Sequence, residues 1–282
     1  PGSVAFRSKH LGLYRERSWR DYASLVGRCA RGLRKLGLAP GERVAIMGDA
    51  CEEWVICDLA AQAAGAITYG IYPTASASEV EYQMLDGGAT IFVAEDQEYV
   101  DKLLPLLDRL PAVKAVVVVD DSAMFDYEHE LLVSYREVLG EEGDDATLAL
   151  LDELVARLDP AAPAFIVYTS GTTGNPKGAT LSHHNILNNG FFVGEAIRLR
   201  EGDRVCIPVP LYHCFGMVMG NLGCLTHGAT MVYPSEAFEP LATLQTVAEE
   251  RCTASYGVPT MFIAQLDHPD FARFDLASLR TG

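Results

Sequence analysis

The sequence predicts an α/β fold in which parallel sheets are flanked by helices. Short, continuous apolar runs of strand length alternate along most of the 282-residue chain with segments whose apolar residues recur at helical spacing. Continuous apolar runs are typical of strands that are buried on both faces of a sheet. Their regular alternation with amphipathic helices favours parallel sheets covered by helices.

The first 120 residues are expected to form one α/β unit. Apolar residues at helical spacing predict a helix over residues 22–36, and Gly37 follows it as a candidate C-terminal cap. A later helix is predicted to open at a capping box formed by Ser78 and Glu81. The predicted strands are residues 43–47, 66–71, 90–94 and 115–119, and further helices are predicted at 53–63 and 100–110.

Residues 121–160 are expected to form a solvated connector. Acidic runs at 120–121 and 141–145 interrupt the apolar pattern, and a helical run follows at 147–158. Charge runs usually lie on exposed surfaces, and an acidic metal site is the alternative interpretation. Residues 161–282 are then expected to form a second α/β unit. Its predicted strands are residues 164–168, 179–181, 205–209, 230–233 and 253–256, and its helices begin at 183 and lie near 218–225, 240–250 and 260–266.

Composition and charge restrict the class of protein. Apolar residues make up 49% of the chain and charged residues 21%, which are ordinary values for a globular protein. The net charge of −16 disfavours binding to nucleic acid or to an anionic membrane, because both require cationic patches. No apolar run reaches the ~18 residues of a membrane-spanning helix. Peripheral membrane contact stays open.

The seven cysteines indicate reduced thiols. Their number is odd and no two form a Cys-x-x-Cys pair, so the sequence disfavours a disulfide framework and a zinc site. The charged N-terminal segment contains no apolar signal-peptide core. The sequence therefore predicts a cytoplasmic protein.

The most informative segment is residues 168–178, which read Tyr-Thr-Ser-Gly-Thr-Thr-Gly-Asn-Pro-Lys-Gly directly after an apolar run. Glycines allow backbone N–H groups to turn toward an anion, hydroxyl groups add donors, and a lysine supplies positive charge. The spacing differs from that of a Walker loop, because Pro176 precedes Lys177 and Gly178 follows it. A flexible surface turn is the alternative. The candidate phosphate-binding residues are Thr169, Ser170, Gly171, Thr172, Thr173, Gly174, Lys177 and Gly178.

This segment resembles the phosphate loop of the AMP-forming, adenylate-forming ligases, which include acyl-CoA synthetases, peptide-synthetase adenylation domains and firefly-type luciferases. Residues 19–92 are similar to the family's N-terminal segment, residues 210–216 to its aromatic and histidine motif, and residues 256–260 to its acyl-pocket strand and turn. The resemblance implies that residues 1–282 are part of the large N-terminal AMP-binding domain. The family's adenine, ribose and magnesium-linked residues and its C-terminal domain would then lie beyond residue 282, so we expect this chain alone to be inactive.

The same resemblance implies roles for residues outside the phosphate segment. It implies that His213 contacts the α-phosphate and the acyl carboxylate, as a catalytic residue together with Lys177. Tyr212 and Phe215 would shape the acyl entrance. The remaining substrate-pocket residues would be Tyr256, Gly257, Val258, Pro259 and Thr260. Without the resemblance, His213 would be interpreted as a structural histidine, and the 256–260 turn would be open to either a packing role or a substrate-pocket role.

Two other interpretations of nearby residues are disfavoured. Cys214 follows His213 and suggests a Cys–His nucleophile, but adjacent residues of a strand face opposite sides of a sheet. His183 and His184 suggest a metal pair, but adjacent helical residues point ~100° apart. No metal ligand is therefore assigned.

The resemblance implies a two-step reaction. A carboxylate attacks the α-phosphate of ATP, pyrophosphate leaves, and the thiol of coenzyme A captures the acyl-AMP, with Mg²⁺ expected to bridge the phosphates. A fatty acid is the expected substrate. Its chain length stays open, because residues 70–74 and 79–82 look most like long-chain ligases, whereas residues 210–216 and 256–262 look more like the short- to medium-chain branch.

Two alternatives to a fatty acid–CoA ligase remain. One is another adenylating enzyme, either luciferase-like or specific for an aryl or amino acid. An amino-acid-activating domain usually carries an aspartate soon after its aromatic motif, and none lies between Leu211 and Pro234. The other alternative is a catalytically silent nucleotide-binding module. The expected partners are small molecules in each case.

Overall fold

The computed structural model describes residues 3–10, 12–141, 145–169 and 175–282, and it confirms the predicted α/β fold. The chain forms two compact units. The seven-strand unit consists of residues 23–49 and 53–184, and the five-strand unit consists of residues 1–22, 50–52 and 185–282.

Strands and helices alternate along the described chain. The strands are β1 (Val4–His10), β2 (Leu13–Ser18), β3 (Arg43–Met47), β4 (Ile67–Ile71), β5 (Ala89–Ala94), β6 (Ala115–Val118), β7 (Leu132–Ser134), β8 (Pro163–Thr169), β9 (Lys177–Ser182), β10 (Arg204–Cys206), β11 (Thr230–Tyr233) and β12 (Ala254–Ser255). The helices are α1 (Trp19–Lys35), α2 (Glu52–Ala63), α3 (Ala77–Gly87), α4 (Gln97–Leu103), α5 (Tyr135–Leu139), α6 (Asp145–Ala156), α7 (His183–Ala196), α8 (Gly223–His227), α9 (Pro240–Glu249) and α10 (Pro259–Leu266). Short 3₁₀ helices cover Leu104–Arg109 and Phe271–Arg273, and a π-helix covers Phe215–Leu222. Within the described residues, no helix has both the length and the apolar character needed to cross a bilayer.

The sheet of the seven-strand unit has the strand order β7-β6-β5-β3-β4-β8-β9. Its neighbouring strands are parallel except β8 and β9, which form an antiparallel hairpin at one edge. Strands β5 and β6 are buried along their whole length, and Phe92 and Val116 are fully excluded from solvent. Val100 and Leu103 of α4 pack into the same core. Burial on both faces explains the continuous apolar runs in the sequence.

The sheet of the five-strand unit has the strand order β12-β10-β11-β1-β2. Strands β12, β10, β11 and β1 are parallel, and β2 is antiparallel to β1. Sequence analysis does not predict the β1–β2 hairpin, because charged residues such as Arg7 and Arg15 interrupt its apolar pattern. Phe6 of β1 is nevertheless fully buried, and its ring packs edge-on against Tyr22 at a centroid distance of 4.6 Å.

The structure divides the chain at different places from the expected boundaries at residues 120 and 160. Strand β8 pairs with β4, so the β8–β9 hairpin joins the seven-strand sheet instead of opening a second unit. Strand β1 pairs with β11, so the first 22 residues join the five-strand sheet. Both pairings connect residues far apart in the chain, and neither leaves a local pattern in the sequence.

The expected connector over residues 121–160 is more regular than its sequence indicates. It contributes the edge strand β7, which is parallel to β6, and the helices α5 and α6. Tyr135 and Val138 of α5 are buried. A strand of three residues is too short to show a period, which is why the sequence does not predict it.

Proline explains two boundaries that the apolar pattern misplaces. Helix α4 ends at Leu103 and continues as a 3₁₀ helix with Pro105 in its first turn, because proline cannot donate an α-helical hydrogen bond. Strand β10 ends at Cys206 instead of residue 209, since Pro208 has no N–H to give to a neighbouring strand.

Helix α3 begins at a different capping box from the predicted one. Ser76 is the N-cap, its side chain accepts from the N–H of Glu79, and the Glu79 carboxylate accepts from the N–H of Ser76 at 2.8 Å. The sequence contains two overlapping Ser-x-x-Glu patterns, at 76–79 and 78–81, and the pattern alone does not distinguish them. The prediction that Ser78 caps this helix is wrong.

Candidate active site

The phosphate segment lies at the end of the β8–β9 hairpin in the seven-strand unit. Thr169, the last residue of β8, pairs with Lys177, the first residue of β9, and both are exposed. The chain between them contains most of the predicted phosphate ligands. Ser170, Gly171, Thr172, Thr173 and Gly174 lie outside the described residues. The hairpin register therefore places Thr169 and Lys177 beside each other at one end of the hairpin.

Packing within the hairpin requires a glycine at position 178. A Cβ atom at this position would lie 2.8 Å from Cγ2 of Ile166 and 3.4 Å from the ring of Tyr168. Since real Cβ atoms essentially never approach a side chain so closely, the paired strand leaves room only for glycine. Sequence analysis assigns Gly178 to phosphate binding, and the described contacts add a packing reason for it.

Tyr168 anchors the first strand of the hairpin. Its ring is buried and packs edge-on against Tyr69 at a centroid distance of 5.4 Å. Its hydroxyl donates a hydrogen bond of 2.8 Å to a carboxylate oxygen of Asp86. Burial and this hydrogen bond raise the pKa of the Tyr168 hydroxyl above its ordinary value, so the hydroxyl remains a donor.

His213 lies in the five-strand unit, in the turn that precedes the π-helix. Its side chain is exposed, and its Nδ1 accepts a hydrogen bond of 3.1 Å from the N–H of Phe215. A neutral imidazole that accepts at Nδ1 carries its proton at Nε2. The hydrogen bond therefore leaves an Nε2–H donor on the exposed ring, which suits contact with a phosphate or carboxylate oxygen.

Cys214 is closer to His213 than sequence analysis expects. The two residues lie in a turn instead of a strand, and Sγ of Cys214 is 3.7 Å from Nδ1 of His213. The expectation that their side chains face opposite sides is wrong, because the strand ends before this segment. Since Nδ1 already accepts from the N–H of Phe215, it is not available as the base that a nucleophilic thiol requires.

A cavity of about 450 Å³ in the five-strand unit is lined mainly by apolar side chains. Phe215 and Tyr256, both predicted substrate residues, lie in its wall with their rings packed edge to face at a centroid distance of 5.5 Å. Gly257 lines it as well, and a Cβ atom there would lie 3.2 Å from the ring of Phe262. The volume is in the range of pockets that bind small organic molecules. Its described lining contains no charged side chain.

The other predicted substrate residues do not line this cavity. Tyr212 is partly exposed in the turn before His213, and Val258, Pro259 and Thr260 are exposed at the start of α10. Pro259 occupies the first turn of that helix, where its missing N–H costs nothing. The structure thus brings together Phe215, Tyr256 and Gly257, and leaves the others outside the cavity wall.

The cavity also contains residues that sequence analysis misses. They are Val193 and Ile197, Met219 of the π-helix, Phe262 of α10, and residues near the C-terminal end of the chain. Val193 and Ile197 are four residues apart, which places them on one face of a helical segment, but such a pair is as common in ordinary cores. Met219 has no distinguishing sequence signal.

Tyr256 fixes the position of the π-helix beside the cavity. Its hydroxyl donates to the backbone carbonyl of Met219 at 3.2 Å, and its side chain is almost fully buried. Burial raises the pKa of Tyr256, so the hydroxyl stays protonated and keeps donating. Single π-helical turns occur frequently at functional sites.

The sequence is similar to known proteins and matches one family model. The family model described as AMP-binding enzyme matches residues 1–282. The chain is 37% identical to an acyl-CoA ligase of Ajellomyces capsulatus, over 90% of this chain and 43% of that protein. It is 35% identical to a mitochondrial medium-chain acyl-CoA ligase of Danio rerio, over 94% of this chain and 46% of that protein. The chain therefore spans about half the length of the curated relatives that it matches.

Solved structures confirm the fold. The crystal structure of an anthranilate CoA ligase in complex with anthranoyl-AMP matches with a TM-score of 0.82 and 24% identity, over 98% of this chain and 50% of that chain. At this level of identity the likeness concerns the fold alone.

Proposed function

Since the chain belongs to the family of AMP-binding enzymes, we propose that the whole protein activates a carboxylic acid with ATP and transfers the acyl group to coenzyme A. The observation that carries this proposal is the phosphate segment at residues 168–178, found within a family match that covers the whole chain. The names of the similar proteins, which are acyl-CoA ligases, support the choice of coenzyme A as acceptor.

The proposed first step is attack of the substrate carboxylate on the α-phosphate of ATP. The bond between the α-phosphate and the bridging oxygen breaks, so acyl-AMP forms and pyrophosphate leaves. Lys177, Thr169 and the residues between them would hold the β- and γ-phosphates and stabilise the charge on the departing pyrophosphate. The Nε2–H of His213 would donate to an oxygen of the α-phosphate or of the carboxylate. In the second step the coenzyme A thiol displaces AMP from the acyl group.

We propose a fatty acid as the substrate. The apolar cavity supports this choice, because its described lining offers no charged side chain to bind an ammonium group. Activation of an amino acid is disfavoured for the same reason. An aryl acid is the second candidate, since the edge-to-face rings of Phe215 and Tyr256 would also pack well against an aromatic ring.

Magnesium enters this proposal as part of the substrate, MgATP. Among the described residues, no group of three His, Cys, Asp or Glu side chains is placed to hold a metal ion. Mg²⁺ in nucleotide sites takes several of its ligands from phosphates and water. The proposal therefore assigns no Mg²⁺ ligand among the described side chains, and no step depends on one.

We also keep the cytoplasm as the proposed location. All seven cysteines are free thiols, which agrees with a reducing compartment.

The test is an exchange assay on the whole protein. With ATP, Mg²⁺ and an acid, labelled pyrophosphate should enter ATP, and addition of coenzyme A should release AMP. A series of fatty acids from four to eighteen carbons, with benzoate-type acids beside it, would identify the substrate, because each buried methylene contributes about 0.8 kcal/mol. Release of ADP instead of AMP would contradict the proposal.

A further inference from the structure

We propose that Tyr82 and Asp86 of α3 are positioning residues for the phosphate hairpin, which is the β8–β9 hairpin with the phosphate segment at its end. They would hold it in the arrangement that binds ATP. Tyr82 donates a hydrogen bond from its hydroxyl to the carbonyl oxygen of Pro176 at 3.0 Å. Asp86 accepts from the hydroxyl of Tyr168 at 2.8 Å. The inference rests on the proposed role of the hairpin in binding ATP.

The two hydrogen bonds join α3 to opposite arms, or stems, of the hairpin. Tyr168 is the second-last residue of β8 and Pro176 lies directly before β9, so six of the eight predicted phosphate ligands lie between the two contacts along the chain, and Lys177 and Gly178 follow directly after the second. Tyr82 and Asp86 are four residues apart on α3, a spacing that places two side chains on one helix face. One face of one helix therefore sets the separation of the two stems.

Each contact is one residue away from a predicted phosphate ligand. The carbonyl of Pro176 and the N–H of Lys177 belong to the same planar peptide group, so fixing the carbonyl also orients the start of Lys177. Tyr168 precedes Thr169 in the same way. Groups that are aligned before the substrate arrives need no reorganisation during the reaction, which is why small displacements of such groups reduce rates strongly.

Helix α3 is suited to act as a support because it is itself fixed at several points. The capping box closes its first turn, and Val80 and Met84 are buried in the core of the seven-strand unit. Tyr69 donates from its hydroxyl to the carbonyl of Gln83 at 3.0 Å. At the last turn, Arg43 donates to the carbonyl of Gly87 at 2.7 Å. The helix therefore contacts the hairpin from a position that the sheet determines.

The test compares four variants of the whole protein with the parent in the pyrophosphate-exchange assay. Tyr82→Phe, Tyr168→Phe and Asp86→Ala each remove one hydrogen bond, and each should raise the KM for MgATP about threefold to tenfold. Asp86→Asn keeps an oxygen that accepts from Tyr168 and should stay close to the parent. The KM for the carboxylic acid should not change in any of them.

Tyr127→Phe is the matched control. Tyr127 also donates from its hydroxyl to a carboxylate, Asp101, at 2.6 Å, and it lies in the same unit but not on the hairpin. Its variant should leave both KM values unchanged. A double variant, Tyr168→Phe with Asp86→Ala, should be no worse than either single variant, because both remove the same bond.

A second measurement does not depend on activity. Hydrogen–deuterium exchange of the peptide that covers residues 168–178 should be faster in Tyr82→Phe and Asp86→Ala than in the parent and in Tyr127→Phe. Unchanged exchange of this peptide would overturn the inference, as would equal rises in the KM values for MgATP and for the acid. A parent that exchanges no pyrophosphate with any acid would refute the proposed function instead, and the exchange of the peptide would still decide the positioning role.

Discussion

The phosphate hairpin and the apolar cavity differ in how the chain builds them. The hairpin takes its candidate ligands from consecutive residues between 169 and 178. The cavity takes its walls from separate segments between Val193 and Gly282. A local motif can be recognised in the sequence, whereas a cavity wall assembled from distant segments forms only when the chain folds. We therefore expect substitutions in the two regions to have different effects.

The two regions are held by different forces as well. Hydrogen bonds from Tyr82 and Tyr168 fix the hairpin stems, while aromatic and aliphatic packing forms most of the cavity wall. If the proposed function is right, changes in the hairpin should alter the use of ATP, and changes in the cavity should alter the use of the acid. A variant that alters both equally would break this separation.

The largest effect on activity is expected from Lys177→Ala. Removal of the ammonium group should lower kcat/KM for MgATP by roughly 10- to 150-fold, which corresponds to about 1.5–3 kcal/mol for a charged hydrogen bond in the transition state. The melting temperature should hardly change, because the side chain is exposed. Lys177→Arg keeps the charge with a different shape and should recover only part of the activity.

Lys35→Ala is the control for this loss of charge. Lys35 is exposed at the end of α1 and has no proposed contact with ATP. Steady-state kinetics with MgATP varied at saturating acid would measure both variants. Parental kinetics for Lys177→Ala would remove this residue from the proposed site.

The second effect concerns the interior of the seven-strand unit, which carries the hairpin. The carboxyl group of Asp58 is buried there. Asp58 of α2 is fully buried, and its carboxylate accepts from the Thr68 hydroxyl and, at 2.8 Å, from the Gln62 amide. The Thr68 hydroxyl also lies 3.4 Å from the carbonyl oxygen of Ala164 in β8. Burial raises the pKa of Asp58 from 3.8 to about 6, although both hydrogen bonds act in the opposite direction. The described lining of the cavity has no such group.

The pH dependence of stability follows from this raised pKa. Between about pH 4 and pH 6 the folded protein keeps the Asp58 proton that the unfolded chain has lost, so unfolding becomes easier as the pH rises. The contribution is complete below about pH 4 and is lost by somewhat above pH 6, and it amounts to about 3 kcal/mol. Asp58→Asn should remove this part of the slope. Denaturant unfolding at several pH values would show it, and a pH-independent difference between parent and variant would contradict the raised pKa.

A third, smaller effect separates two roles of His213. His213→Ala removes both the Nε2–H donor and the Nδ1 acceptor for the N–H of Phe215, so acyl-AMP formation should slow about tenfold, the scale of one good hydrogen bond. Stability should fall by about 1 kcal/mol, the scale of one lost hydrogen bond. His213→Asn can still accept from the backbone and should restore stability without restoring the rate.

Single-turnover measurement of acyl-AMP formation, with coenzyme A capture measured separately, would distinguish the roles. Capture should be affected less than formation. Full recovery of the rate in His213→Asn would favour the purely structural histidine, which is the interpretation that His213 receives without the family resemblance.

How much the sequence predicts depends on whether the determining contacts are local. The fold class, strand β11 and the phosphate segment follow from patterns within a few consecutive residues. Three features do not follow, because each depends on a distant partner: the pairing of β8 with β4, the pairing of β1 with β11, and the contacts of α3 with the hairpin. The Glu79–Tyr82 segment is recognised only as a family-like stretch. Its role at Pro176 becomes visible in three dimensions.

The wall of the cavity illustrates the same limit. The predicted residues Phe215, Tyr256 and Gly257 line it. Sequence analysis can predict them because they belong to recognisable motifs. Met219 is missed because it belongs to no recognisable motif, although a helix is predicted near 218–225 where the π-helix Phe215–Leu222 lies.

The smallest effect is expected from Tyr256→Phe, and it tests whether the cavity is independent of the hairpin. The variant keeps the ring that packs on Phe215 but removes the hydroxyl that donates to the Met219 carbonyl. Loss of one hydrogen bond should lower the free energy of unfolding by about 1 kcal/mol. The π-helix would lose a fixed point beside the cavity, so the KM for the acid should rise about twofold to fivefold, again the scale of one neutral hydrogen bond. The KM for MgATP should stay constant.

Tyr14→Phe is the matched control, since Tyr14 shares a hydrogen bond of 2.6 Å with Thr246 in the same unit but does not line the cavity. It should lower stability by a similar amount and leave both KM values unchanged. If Tyr14→Phe raised the KM for the acid as much as Tyr256→Phe, general loosening of the five-strand unit would explain the result. If Tyr256→Phe raised the KM for MgATP instead, the wall of this cavity would belong to nucleotide binding, and the division of labour between the two regions would be wrong.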